Sequence, residues 1–426
     1  MHSSVHATEN LLFVTLLQLI VMIAAARAGN RLLRALGQPG VVGEIVAGLL
    51  LGPSLFGHFF PGASVFMFGA TPSTPVTIIS QIGLVLLMFQ IGIDFEFGHL
   101  ARRRNRNGTL GIAVASIGVP FALGFGIGEM SSAYLAPHID PLTYSLFCGV
   151  GLAITAVPIL GRILREFDLT RTEIGVVAIS AAAINDVVGW VMLAGISAYA
   201  SARFSVSSIG WQFGGIGLLL VLAWFVLRPL THRLLASMPI VNGQLPPNLM
   251  TVVVCLIFTL GICTYKLGIF AIFGGFLAGL LFHHDKVFVE AWRAQVGKFV
   301  MVFFLPVFFT YTGLRTNVLG LTSVTDWQWL AVVLVAAIVG KVVPVYVAGR
   351  IAGFNHREST ILGSLMSTRA LMELIVLNIG FDLGFIPQNV FTMLVIMAVV
   401  TTVMTGPLLR MLLPRAGYVI PVGVEA

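Results

Sequence analysis

VVGEIVAGLLLG, from Val41 to Gly52, and IFGGFLAGLLFH, from Ile272 to His283, align without a gap and share an AGLL core and a glycine, Gly43 in one and Gly274 in the other. Both are apolar runs, and they lie 231 residues apart. A second pair follows in nearly the same register. LMFQIGIDFE, ending at Glu96, and FFTYTGLRTN, ending at Asn317, set Gly92 against Gly313 at an offset of 221, so a length difference falls between the two matches. Self-similarity at long spacing marks a chain built from two related halves.

What surrounds these runs sets the solvent. Of 426 residues, 58% are hydrophobic and 10% charged, and the mean hydropathy is +0.99, whereas a soluble domain is about a quarter charged. With roughly 20 apolar residues needed per bilayer crossing, the chain divides into thirteen spans, near 11–28, 38–56, 76–94, 109–129, 143–163, 173–198, 210–230, 247–266, 268–284, 298–315, 328–349, 360–380 and 389–411. The loops between them are too short for a separate soluble unit. The expected organisation is one membrane domain over residues 1–415 and a short cytoplasmic tail over 416–426, with no C-terminal regulatory domain. MHSSVHATEN carries no Lys or Arg before the first apolar run, which reads as a retained span rather than a removable signal.

Charge placement tests the count. Nineteen of the 24 basic residues fall in loops, span edges or the tail after odd-numbered spans, and three, Arg203, Lys266 and Arg315, after even-numbered ones. By the positive-inside rule this puts the N-terminus outside and the C-terminus in the cytoplasm, and the membrane is expected to be a bacterial inner membrane. The net charge of +7 therefore reports topology, and no nucleic-acid partner is implied. Cys148, Cys255 and Cys263 lie in apolar runs without metal-ligand or CxxC spacing and read as structural.

The two matches pair span two with span nine and span three with span ten. A separation of seven spans is odd, so equivalent helices cross the membrane in opposite directions. The expected fold is an all-α polytopic membrane protein in which spans one to six and eight to thirteen form inverted six-helix repeats. Span seven is the linker. Span five then corresponds to span twelve, the interrupted pair on which inverted-repeat transporters build a midplane site.

Ionisable groups inside a bilayer are costly and mark function. Asp186 lies about thirteen residues from either end of span six, roughly 20 Å at the helical rise. Burial holds a carboxylate toward its neutral form and a cation draws it back to the charged one, so proton and metal ion compete for one group. Lys341 lies well inside span eleven. In LAITAVPILGR, Pro158 clashes with the carbonyl of Ile154 and breaks span five, which leaves free carbonyls and the Thr155 hydroxyl as hard oxygen ligands. Span twelve holds Ser367, Thr368, Arg369 and Glu373 in SLMSTRALMELIVLNIG. Arg369 and Glu373, four apart on one face, are read as neutralising each other across the second break.

The remaining polar groups carry less. Glu44 is an interfacial carboxylate or a cap to a nearby break, and the sequence does not choose. Asp94 and Glu96 precede the RRRNR run and read as a solvated cluster. His283 and His284 read as an interfacial loop, with a metal site or a pH-tuning role as alternatives. No cofactor is implied, and no metal beyond a transported monovalent cation.

With these residues placed, the chain resembles the monovalent cation:proton antiporter-2 family over nearly its whole length. The resemblance rests on GQPGVVGEIVAGLLLGPSLFG from Gly37, QIGLVLLMFQIGIDFE from Gln81, TAVPILGR from Thr155, AAINDVVGW from Ala182, FLPVFFTYTGLRT from Phe304 and STRALMELIVLNIG from Ser367. It implies a sodium/proton antiporter fold and a membrane-embedded homodimer exchanging Na⁺ or K⁺ for H⁺, in which a mobile core domain moves against a dimerisation domain. It also implies Asp186 as ion and proton carrier, Asn185 as its neighbour, Thr155 in the crossed-helix region and Lys341 as the basic partner. Relatives that move net charge carry a second Asp at the Asn185 position, so electroneutral exchange is expected. Ala370 stands where the family usually has Gly. A potassium efflux system or an organic-anion symporter of related fold is the alternative reading.

Overall fold

An unpaired backbone N–H or C=O is costly in hydrocarbon, so a spanning segment must close its hydrogen bonds internally as helix. The computed structural model describes residues 2–36, 38, 40–69, 74–94, 106–170, 172–200, 206–267, 270–369 and 371–418. Its helices are α1 (His2–Ala35), α2 (Gly40–Leu51), α3 (Phe56–Phe59), α4 (Pro61–Phe68), α5 (Thr74–Ile93), α6 (Arg106–Leu135), α7 (Pro141–Ala153), α8 (Val157–Glu166), α9 (Glu173–Ala200) and α10 (Val206–Leu222). They continue as α11 (Arg228–Ser237), α12 (Pro247–Lys266), α13 (Ala271–Phe282), α14 (Lys286–Trp292), α15 (Leu305–Leu314), α16 (Val324–Ile351), α17 (His356–Met366), α18 (Leu371–Asp382) and α19 (Gln388–Arg415). Each of the thirteen expected spans coincides with a helix or a pair of helices, and the eighth and ninth remain separate as α12 and α13. Among the described residues, ten helical stretches are long and apolar enough to cross a membrane, with Pro141–Ala153 and Ala271–Phe282 as shorter apolar helices. The chain is an integral membrane protein.

Local sequence explains the helix starts. Asp140 accepts from the Thr143 N–H at 2.8 Å and Pro141 takes the first turn of α7. Asn355 with Glu358, and Ser323 with Asp326, form capping boxes at α17 and α16. Span five is broken at Ile154–Ala156, and Pro158 falls in the first turn of α8, where a missing N–H leaves no intrahelical acceptor unmet. Span twelve is broken after α17, with Ser367, Thr368 and Arg369 outside regular helix. Ala370 lies outside the described residues, as do Glu96, residues 102–105 of the basic run and residues 419–426 of the tail.

The chain divides into two units, one of Met1–Ala25, Gly62–Glu96 and Ser197–Tyr311, the other of Ala26–Pro61, Phe97–Ile196 and Thr312–Ala426. Within the first, α5 and α13 meet at Gly92 and Gly279, where a Cβ on Gly92 would sit 2.9 Å from the Gly279 Cα and one on Gly279 2.7 Å from the Gly92 Cα. Within the second, α2 and α15 meet at Gly48 and Gly313, where a Cβ on Gly313 would overlap the Gly48 carbonyl and lie 2.5 Å from the Leu49 nitrogen. In the sequence register Gly48 matches Gly279 and Gly313 matches Gly92. Both matches therefore describe one crossing, made once in each unit by equivalent glycines.

Replacing either glycine by alanine forces backbone against backbone. Gly279→Ala and Gly313→Ala are each expected to destabilise by about 1–3 kcal/mol. Gly217→Ala on α10, whose Cβ would meet nothing within 4 Å, is expected to be neutral or slightly stabilising. Thermal unfolding of the three variants in detergent checks the contrast.

Candidate functional site

α7 ends at Ala153, and the chain runs extended through Ile154 (φ −65°, ψ 142°) before α8 resumes at Val157. This gap is hydrogen-bonded to the one after α17. The Ala156 N–H donates to the Thr368 carbonyl at 3.2 Å, and the Thr155 hydroxyl lies 3.3 Å from the Met366 carbonyl. The interrupted helices thus cross at their breaks. Ser367 and Thr368 turn their hydroxyls back onto the Gly363 and Leu365 carbonyls, at 3.1 and 2.7 Å, and so satisfy the last turn of α17.

A broken helix presents a carbonyl pole where it stops and an N–H pole where it restarts. α9 brings Asp186, 3% exposed, to the second of these: the Val157 N–H donates to its carboxylate. Asp186 Oδ1 is buried without a hydrogen-bond partner. The first pole is held by cations. Lys341 on α16, fully buried, donates to the Ala153 carbonyl and, at 2.6 Å, to the Ser116 carbonyl on α6. Arg369 places Nη1 3.1 Å from the Gly151 carbonyl in the last turn of α7 and Nη2 3.3 Å from the Ala337 carbonyl of α16. Lys341 and Asp186 make no ion pair with each other here. Each is met by the opposite pole of the same broken helix.

Asn185 lies beside Asp186 on α9, and its environment orients its amide. With the carbonyl oxygen toward the hydroxyls of Ser116 (2.7 Å) and Thr155 (3.3 Å), its nitrogen donates to the Ala113 and Ala181 carbonyls, both at 3.2 Å. Ser116 was not legible in the sequence, because nothing sets it apart from other hydroxyls in apolar helices. Arg369 and Glu373 form an ion pair at 3.8 Å with neither side chain exposed, and the Arg369 N–H lies 3.4 Å from the Thr402 hydroxyl of α19.

The other singled-out groups lie elsewhere. Glu44 is buried on α2 and accepts from Asn30 of α1 at 2.6 Å. Asp94 pairs with Arg293 at 2.7 Å, both partly exposed. α13 ends at Phe282, so His283 and His284 lie beyond it. His284 accepts the Arg228 Nε–H at 3.0 Å, and burial, followed by His283, Arg228 and His232, pushes its pKa down to about 4. Among the described residues no group of three His, Cys, Asp or Glu side chains is placed to hold a metal ion.

The buried carboxylate with one unpartnered oxygen and the interrupted helices that cross at their breaks lie in a chain whose family is known. The sodium/hydrogen exchanger transmembrane family matches residues 19–415, and the chain belongs to it. The chain is 33% identical over 420 residues to the Na(+)/H(+) antiporter NhaS4 of Synechocystis sp., covering 96% of this chain and 99% of that one. It is 34% identical over 401 residues to cation/H(+) antiporter 18 of Arabidopsis thaliana, covering 92% of this chain but only 48% of the plant protein, so it spans about half the length of that relative. It shares its fold with the sodium proton antiporter MjNhaP1 of Methanocaldococcus jannaschii, with a TM-score of 0.62 at 14% identity over 94% of this chain and 96% of that one.

Removing one member of a buried ion pair strands the other. Arg369→Ala also frees the Gly151 and Ala337 carbonyls, and it is expected to cost about 3–5 kcal/mol. Glu373→Gln, which keeps the volume, is expected to cost less. Fluorescence-detected size exclusion after a temperature series reads the order: Arg369→Ala loses its folded peak at the lower temperature.

Proposed function

We propose that this chain exchanges a monovalent cation, Na⁺ or K⁺, for protons across a bacterial inner membrane, and that both ligands compete for Asp186. The observation that carries the reading is the Asp186 carboxylate, buried at the crossing with one oxygen on the Val157 N–H and the other without a partner. That oxygen is the place for a proton or a cation. Thr155 and the carbonyls freed at the break are oxygen ligands of the kind a small hard cation takes. The Na⁺/H⁺ and cation/H⁺ antiporters to which the chain is similar support the same class of reaction.

Coupling follows from charge. A bare carboxylate in hydrocarbon resists movement, whereas one neutralised by a proton or a cation does not. Alternating access then runs only with the site loaded, and each crossing carries one ligand or the other. Exchange is one for one. Asn185 does not titrate, and Lys341 keeps the Ser116 and Ala153 carbonyls as hydrogen-bond partners when Asp186 is neutralised, which favours retention of its proton. The distribution of Lys and Arg supports an outside N-terminus and a cytoplasmic C-terminus, and the working unit is a homodimer.

Asp186→Asn removes the titrating oxygen with almost no change in volume. In vesicles holding a preformed pH gradient, cation addition is expected to dequench a pH dye with the unsubstituted protein and to leave it unchanged with the variant, at equal expression. Cation-driven proton release that survives in purified Asp186→Asn vesicles sinks the carrier assignment.

Stoichiometry is read separately. A potassium-valinomycin potential imposed under sodium-exchange conditions is expected to leave the rate unaltered in either sign. A rate that rises with one sign and falls with the other points to Lys341 as a second proton site.

A further inference from the structure

Ser116 has no exposed surface, and two networks meet on it. Its carbonyl receives Lys341 at 2.6 Å, while its hydroxyl lies 2.7 Å from the Asn185 amide. The hydroxyl has one proton and two acceptors in reach, the Ala113 carbonyl at 2.9 Å and the Asn185 carbonyl oxygen at 2.7 Å. Thr155 stands in the same position: its single proton can go to the Met366 carbonyl or to Asn185, each at 3.3 Å.

The two hydroxyls and the amide therefore have two self-consistent arrangements. In one, the Asn185 nitrogen donates to both hydroxyls, whose protons go to Ala113 and Met366, and the Asn185 oxygen is pressed against the Ala113 and Ala181 carbonyls, acceptor to acceptor. In the other, the Asn185 nitrogen serves those two carbonyls and its oxygen receives both hydroxyl protons. Burial makes the mismatch of the first arrangement expensive. The second is the one the surroundings select, and it has a consequence for Thr155. With its proton committed to Asn185, the Thr155 oxygen keeps its lone pairs for an electropositive ligand.

We propose that Ser116 is a positioning residue of the exchange site: its hydroxyl holds Asn185 in the orientation that takes the Thr155 proton and leaves the Thr155 oxygen as an acceptor for the transported cation. This rests on the reading of Asp186 and Thr155 given above. Without the Ser116 hydroxyl, the Asn185 oxygen keeps only the longer Thr155 donor. The Thr155 proton then has an equal claim from Met366, and its lone pairs turn away from the cation for part of the time. Ser116 touches no ligand itself and acts through Asn185.

The test is a cation titration in dye-loaded vesicles with four proteins: unsubstituted, Ser116→Ala, Thr155→Val and the double variant. Ser116→Ala is expected to raise the half-saturating cation concentration roughly three- to tenfold, the effect of one neutral hydrogen bond, and to act on half-saturation more than on maximal rate. In the Thr155→Val background the same change adds little, because the oxygen it serves is gone. Ser116→Cys, close in volume with a weak S–H donor, falls between serine and alanine, and it replaces alanine in the cycle if Ser116→Ala loses its folded peak. Effects of the two single changes that simply multiply, or a fall in maximal rate at unchanged half-saturation, overturn the role of Ser116 while Asp186-dependent dequenching leaves the exchange reading standing. Absence of any Asp186-dependent dequenching in the unsubstituted protein overturns both.

Discussion

A helix interrupted inside a membrane leaves carbonyls at one end and N–H groups at the other with no water to receive them, and the site is arranged around that demand. At the α7/α8 break the carbonyl pole is met by Lys341 and Arg369, and the N–H pole by Asp186. Each charge offsets a dipole that would otherwise be stranded, and each dipole lowers the cost of burying the charge. Neither is stable there alone. This mutual support explains how two cations and a carboxylate lie at the centre of a helical unit in hydrocarbon without all being paired with one another.

The arrangement also separates roles that the residue types alone would merge. A lysine and an aspartate at similar depth suggest a direct ion pair, and such a pair would tie the titration of one to the other. Here Lys341 is occupied by backbone carbonyls of α6 and α7, and Asp186 retains a free oxygen. Arg369 and Glu373 pair with each other at 3.8 Å, and the Arg369 guanidinium spans from α7 to α16.

The glycine crossings show the other constraint, close backbone approach. Without a hydrophobic force between helices in lipid, close packing through small residues is a main source of association. The chain uses it twice, Gly92 on Gly279 and Gly48 on Gly313. The repeat written in the sequence is therefore a repeat of contacts as well as of residues.

Much of this was legible in the chain itself. Hydropathy determines a polytopic membrane protein, because bilayer thickness leaves few alternatives, and each of the thirteen apolar runs it marks coincides with a helix or a pair of helices among the described residues. The AGLL and Gly92/Gly313 matches determine the paired halves, since a helix crossing at glycine tolerates no substitute. Pro158 marks a break because proline cannot continue the ladder, although the break opens at Ile154–Ala156 and proline takes the next turn. Asp186, Thr155 and Arg369 stand out because polar groups are costly at that depth. Only the tertiary structure decided what each of them touches. The placing of Lys341 on carbonyls, the burial of Glu44 against Asn30 and the part played by Ser116 depend on which helices lie side by side, and no local pattern encodes that. Asn185 meets Thr155 and Ser116 from 30 and 69 positions away, so that part of its role exists only once the helices have packed.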